Sequence, residues 1–238
     1  MDEHLAQIVS LAQAKFKSTP PNRRLLIGIS GPPGSGKTTL STLLTTSLNS
    51  LLPQTTTFLP LDGYHHPRST LDTFPDPARA HKYRGSEPTF NGPAFLSLVQ
   101  SLAEPIIPST SPIYAPSFDH ALKDPVENAI EILPTHRIVV IEGNYIMLNK
   151  PPWSSIPPLL DIKIFISAPE PVLRQRLARR HLAAGLVDSV EKGEERADFN
   201  DVPNGRQIIE NLVLYQGDVI QIGSADDVTW GPVSSSSV

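Results

Sequence analysis

Five short runs of aliphatic and β-branched residues punctuate the chain: LLIGIS (25–30), TTFLPLD (56–62), RIVVIEG (137–143), DIKIFIS (161–167) and DVIQIG (218–223). Apolar runs of this length without alternation read as strands buried on both faces. The stretches between them repeat their apolar residues at helical spacing and predict helices at about 37–50, 91–103, 169–184 and 203–214. Asn91 and Pro93 supply a cap and a first-turn proline for the second helix, and Gly185 is placed to end the third. Strands separated by helices predict crossover units and a parallel sheet. The expected fold is α/β, a three-layer sandwich around a central, mainly parallel five-stranded sheet.

Outside these runs the pattern is weaker. Leu5, Ile8, Ala12 and Phe16 share one helical face and predict an amphipathic helix within about 1–22. Between 104 and 136 the periodicity is poor, with IEIL (130–133) and PIYA (112–115) as edge strands of a small lobe. GPVSSSSV (231–238) reads as a frayed tail. We read residues 1–238 as a single domain, with insertions over about 63–136.

Composition narrows the class. Hydrophobic residues make up 39% and charged residues 18%, ordinary for a soluble protein, and a net charge of −4 argues against nucleic-acid or anionic-membrane partners. With no cysteine, disulfides and thiolate metal sites are excluded. No segment approaches the ~20 apolar residues of a membrane span, and the acidic start does not read as a signal peptide, so a cytoplasmic location is expected. The 25 prolines cluster between the periodic segments, where their fixed backbone angles shape rigid connectors.

Chemistry enters at GPPGSGKT, which fits G-x-x-x-x-G-K-[ST] and lies between a buried strand and a helix, the context that the motif requires. The loop Gly31, Pro32, Pro33, Gly34, Ser35, Gly36 turns backbone N–H groups toward phosphate oxygens, and the following helix directs its positive end at the same anion. Lys37 reaches the β and γ phosphates, the Thr38 hydroxyl ligates Mg²⁺, and Thr39 beside it is counted among the nucleotide-binding residues. The chain is therefore expected to bind a nucleoside triphosphate.

The remaining residues decide what is done with it. NKPP (149–152) lacks the aspartate of a guanine-reading N-K-x-D motif, and there is no tandem acidic Walker B, which leaves a kinase. Asp62 ends the second strand and Glu142 the third, so both carboxylates are expected on the sheet edge that carries the phosphate loop. A carboxylate there accepts the proton of an attacking hydroxyl or serves Mg²⁺. We assign the first role to Asp62 and the second to Glu142. On the helix that follows PEP, Arg176, Arg179 and Arg180 share a face at i, i+3 and i+4, with Arg174 pointing elsewhere, and suit a transferring phosphoryl group. The charged, weakly periodic sequence after it is expected to close as a lid over about 174–202.

These motifs, with RGSEPTFN and the RLARR helix, resemble the uridine kinase, phosphoribulokinase and pantothenate kinase group of P-loop kinases across most of residues 23–215. DGYH and NDVPNG are similar to a less characterised branch of that group. The resemblance implies ATP-dependent, Mg²⁺-assisted transfer to the hydroxyl of a small molecule, with the residues over 63–136 on the acceptor side. It implies that Asp62 is the base, that Glu142 serves the metal and that Arg176 and Arg180 clamp phosphates. It further implies that Tyr64, His65, Arg84, Phe90 and His120 line the acceptor pocket. One departure is Asn91, where relatives usually carry an aspartate after T-F; the change removes a carboxylate acceptor for sugar hydroxyls. A competing reading from another class is a nucleotide-hydrolysing protein without a small-molecule acceptor, acting through a protein partner.

Overall fold

The computed structural model describes residues 2–212 and 219–224. The expected tail (231–238) and the last two residues of the helix read over 203–214 lie outside the described residues. Helix α1 (Asp2–Ser18) buries Ile8 and Ala12. Strand β1 (Leu25–Ser30) leads through the glycine loop into α2 (Lys37–Leu51), and β2 (Thr56–Pro60) follows. After a 3₁₀ turn, Leu61–Tyr64, come the short helices α3 (Arg68–Leu71) and α4 (Pro77–Lys82) and the longer α5 (Gly92–Ala103). An antiparallel hairpin, β3 (Ile113–Asp119) and β4 (Asp124–Ile132), precedes the core strands β5 (Ile138–Glu142) and β6 (Ile162–Ser167). The chain continues through α6 (Glu170–Ala183), α7 (Val190–Arg196), a π-helical turn (Ala197–Asp201), α8 (Val202–Glu210) and β7 (Val219–Gly223).

Five strands form one parallel sheet in the order β2-β5-β1-β6-β7. β1 and β5 are buried at every residue, as the unbroken apolar runs require. Leu25, Ile27 and Ile29 pack with α1 and α2 on one side, whereas Leu26, Val139 and Ile141 join Phe95, Tyr145 and Trp153 on the other. Two hydrophobic layers therefore clamp the sheet, and its carboxyl edge is left for chemistry. Asn91 accepts from the Ala94 N–H at 3.2 Å and caps α5, so the amide at the departure position has a structural duty. Gly185 ends α6 with φ +65°, and its N–H donates to Leu182 O.

Two expectations need correction. The second strand stops at Pro60, and Asp62 sits in a 3₁₀ turn instead of ending the strand: the turn folds back under the hairpin, and an added Cβ on Gly63 would lie 2.0 Å from Pro116 O. The small lobe is also larger than the two four-residue segments, a hairpin of seven and nine residues.

Candidate active site

Strand register brings the acids to the loop. Glu142 pairs with Ile29 of β1 on one side and with Pro60 of β2 on the other. Gly31 and Asp62 each follow two residues beyond those partners, so the loop, Glu142 and Asp62 share the carboxyl edge of three adjacent strands.

The loop is shaped by its glycines. Gly34 and Gly36 have φ of +80° and +93°, and a Cβ on Gly31 would meet Ile166 O at 2.0 Å. Gly34 is packed from outside by α6, with Leu173 O and Leu177 Cγ each 3.1 Å from an added Cβ. Pro32 and Pro33 are buried, and the Ser35 hydroxyl is buried without a partner. An orphaned donor inside a ring of positive-φ glycines fits a phosphate oxygen. Thr39 is buried at the start of α2.

Lys37 is buried, and its Nζ donates to Pro32 O at 3.0 Å. Burial lowers its pKa and Arg180 adds to the fall, while Glu142 and Asp62 oppose it. Glu142, 7% exposed, is pushed up to about 7 by burial against the pull of Lys37. The Thr38 hydroxyl donates to Glu142 Oε2 at 3.2 Å. This hydroxyl–carboxylate pair is the hard-oxygen donor set that Mg²⁺ takes. Among the described residues no three His, Cys, Asp or Glu side chains cluster to hold a metal, so an ion at this pair would draw its other ligands from phosphates and water. Asp62 is exposed and close enough to act electrostatically on Lys37, Glu142 and His65.

Beyond Asp62 lies an aromatic floor. The His65 ring lies against Phe90 (centroids 4.0 Å apart) and Phe118 (4.8 Å), and His120 meets Phe118 edge-on at 5.3 Å. Nδ1 of His65 is 2.8 Å from Asp62 O. A carbonyl only accepts, so Nδ1 carries the proton and Nε2 is an acceptor. Burial lowers the His65 pKa, which keeps the ring neutral. Phe90 is buried and also contacts Tyr145.

Three residues are used differently from the expectation. Tyr64 packs edge-on against Phe95 in the core, and burial pushes its phenol up to about 12. The Arg84 guanidinium donates to Asp124 Oδ1 (2.7 Å), to His66 O (2.8 Å) and to Lys123 O, so it fastens the hairpin to the loop before it. Arg176 donates to the Ser224 hydroxyl at 3.0 Å and to the Ser224 carbonyl, with Gly34 O at 3.5 Å, and braces the phosphate loop against the end of β7. Arg180 is exposed and acts electrostatically on both Lys37 and Glu142. Arg179 is exposed on the same helix. Arg174 turns away and pairs with Asp198 and Glu194.

Sequence reasoning missed Gly63, which lets the hairpin approach, and Tyr145, whose hydroxyl donates to Gly85 O at 2.8 Å. Tyr145 follows Glu142 closely enough that IEGNY contained the signal.

A phosphate loop on a five-stranded parallel sheet, a buried lysine and glutamate beside it and a following helix that carries arginines define the class of P-loop kinases. Residues 26–192 match the Phosphoribulokinase / Uridine kinase family, and the chain belongs to it. A Schizosaccharomyces pombe protein described as "Putative uridine kinase" is 42% identical over 192 residues, 80% of each chain. An "ATP-dependent kinase-like protein" of Aspergillus versicolor is 42% identical over 156 residues, 66% of this chain and 91% of its own. Among solved structures, one described as a "putative fructose transport system kinase" from Silicibacter sp. TM1040 superposes with a TM-score of 0.75 at 29% identity, covering 89% of this chain and 97% of its own.

Proposed function

We propose that the chain transfers the γ-phosphoryl group of ATP to a hydroxyl of a small metabolite of the nucleoside, sugar or pantothenate kind. The observation that carries this is the pairing, on one sheet edge, of the phosphate loop with the exposed carboxylate of Asp62, which stands before an aromatic floor. A hydrolase needs no base on an acceptor floor. The descriptions of two relatives, "Putative uridine kinase" and "putative fructose transport system kinase", agree with an acceptor rich in hydroxyls.

Each residue has a task in this reading. The loop from Gly31 to Thr39 holds the triphosphate, and Lys37 neutralises its terminal oxygens. Thr38 and Glu142 hold Mg²⁺, which when bound offsets the charge of the transferring group. Asp62 takes the proton of the attacking hydroxyl. Arg180 faces the transferring phosphoryl group, while Arg176 positions the loop and Arg179, exposed on the same helix, adds positive charge for the nucleotide. His65, Phe90 and His120 offer the acceptor one stacking surface and one neutral ring acceptor. No helix of the described residues is long and apolar enough to cross a membrane, and a cytoplasmic location fits the use of ATP.

The test is phosphorylation of a metabolite panel with ATP and Mg²⁺, with acceptor-free hydrolysis as control. A phosphorylated product is expected, and Asp62→Asn should lower kcat for it by at least ~10²-fold with ATP affinity kept. Hydrolysis unchanged by every acceptor would refute the transferase reading and favour a protein partner.

A further inference from the structure

The site described above leaves NDVPNG (200–205) without a role. Its first two residues end the π-helical turn Ala197–Asp201 between α7 and α8. One extra residue per turn breaks the helical stacking and sends successive side chains in different directions, a device frequent at functional sites. Asp198 takes both Nε and Nη2 of Arg174 at 2.7 Å. Phe199 stacks on Tyr83 with centroids 4.8 Å apart, and Lys82 Nζ is 4.5 Å from its centroid. Asn200 Nδ2 donates to Arg84 O at 3.1 Å. Asp201 lies 3.3 Å from His181 Nε2 and 3.9 Å from Arg180 Nη2. Asn204 Nδ2 donates to Asn200 Oδ1 at 3.2 Å, which orients the Asn200 amide with its NH₂ toward Arg84. Gly205 brings α8 against the phosphate loop, 3.2 Å from an added Cβ to Pro32 Cβ.

The turn thus touches α6, which carries the arginines, and the 82–84 loop, and α8 continues it to the phosphate loop. Arg84 is the hinge of the arrangement: its carbonyl receives the lid and its side chain holds the hairpin that carries Phe118 and His120. We propose that Asn200 is a positioning residue that locks the lid to the acceptor-side loop, so that the phosphate-facing arginine helix and the acceptor lobe move as one unit. The proposal rests on the kinase reading above. Asn200 touches no reacting atom; it acts through Arg84 on one side and through the neighbouring Asp201 on the other.

The experiment is amide hydrogen exchange on the whole chain, with and without Mg²⁺ and a non-hydrolysable ATP analogue, for the parent, Asn200→Asp and Asn200→Ala. The amides of Arg84, Gly85 and Ser86 are suitable reporters because each is hydrogen-bonded within its own loop. In the parent the analogue should slow exchange both at 31–40 and at 82–86. Asn200→Asp keeps the volume but lacks the Nδ2 donor. It should retain the slowing at 31–40 and lose that at 82–86 by at least about tenfold, as should Asn200→Ala. A purely packing role predicts instead that the Asp variant behaves as the parent. Parental slowing at 82–86 in Asn200→Asp, or none there in the parent, overturns the coupling. Absence of slowing at 31–40 in the parent removes the nucleotide reading and the coupling with it.

Discussion

Replacing Glu142 by Gln probes the electrostatics of the sheet edge most directly. The carboxyl is 7% exposed, and burial pushes it from an ordinary 4.5 up to about 7. The gap between those values corresponds to roughly 3 kcal/mol between the charged and neutral forms. Because the folded value lies above the unfolded one, the folded chain keeps a proton that the unfolded chain has released between about pH 4.5 and 7. Glu142 therefore favours the folded state fully below that window, and its contribution is lost as pH rises through the folded value. Gln does not titrate, so the variant escapes this decline. Its unfolding free energy minus that of the parent should rise by roughly 3 kcal/mol across the window, on top of an offset set by the amide's contacts with Thr38 and Lys37. Urea unfolding of both ligand-free chains at half-unit pH steps measures the difference. With Mg²⁺ and a non-hydrolysable ATP analogue the parent should regain the advantage, since the analogue restores a use for the charge. A difference that is flat with pH, or that falls, refutes the buried-carboxylate argument.

Three further substitutions separate the parts of the molecule. Lys37→Ala should abolish triphosphate turnover while leaving the fold intact; turnover at the parental rate would remove the loop lysine from the reaction. Gly63→Ala places a methyl 2.0 Å from Pro116 O and should destabilise the chain by about 1–3 kcal/mol while displacing Asp62, read as lower urea midpoint and lower kcat together. Arg24 is 2% exposed with Nε and Nη2 unpartnered, and burial with Arg137 nearby lowers its pKa; Arg24→Met should raise Tm by a few degrees, and a fall in Tm would show that the charge is compensated.

The core strands were legible because burial on both faces writes an unbroken apolar run into a short window, and β1, β5 and β6 start and stop within a residue or so of their runs. The phosphate loop was legible for a related reason: positive φ at Gly31, Gly34 and Gly36 favours glycine at those spaced positions, and the lysine must follow at fixed reach. The helices α3 and α4 were not, since four and six residues are too few for a helical period to show. Tyr64 was misplaced because its ring is drawn to Phe95, thirty-one residues on, by a turn that no local signal announced.

What the sequence determined by itself is the parallel sheet, the anion-binding loop and the two acids that end near its strands, because each depends on neighbours within a few residues. Only the tertiary structure decided how the basic and aromatic residues are divided between chemistry and support. Arg84 and Arg176 are drawn into bracing contacts with Asp124 and Ser224, Arg180 stays exposed between Asp201 and the field of Lys37, and Asn200 reaches Arg84 across more than a hundred residues. A guanidinium or an amide takes whichever acceptor the folded chain presents, and that choice is set by distance in space, which spacing along the chain does not encode.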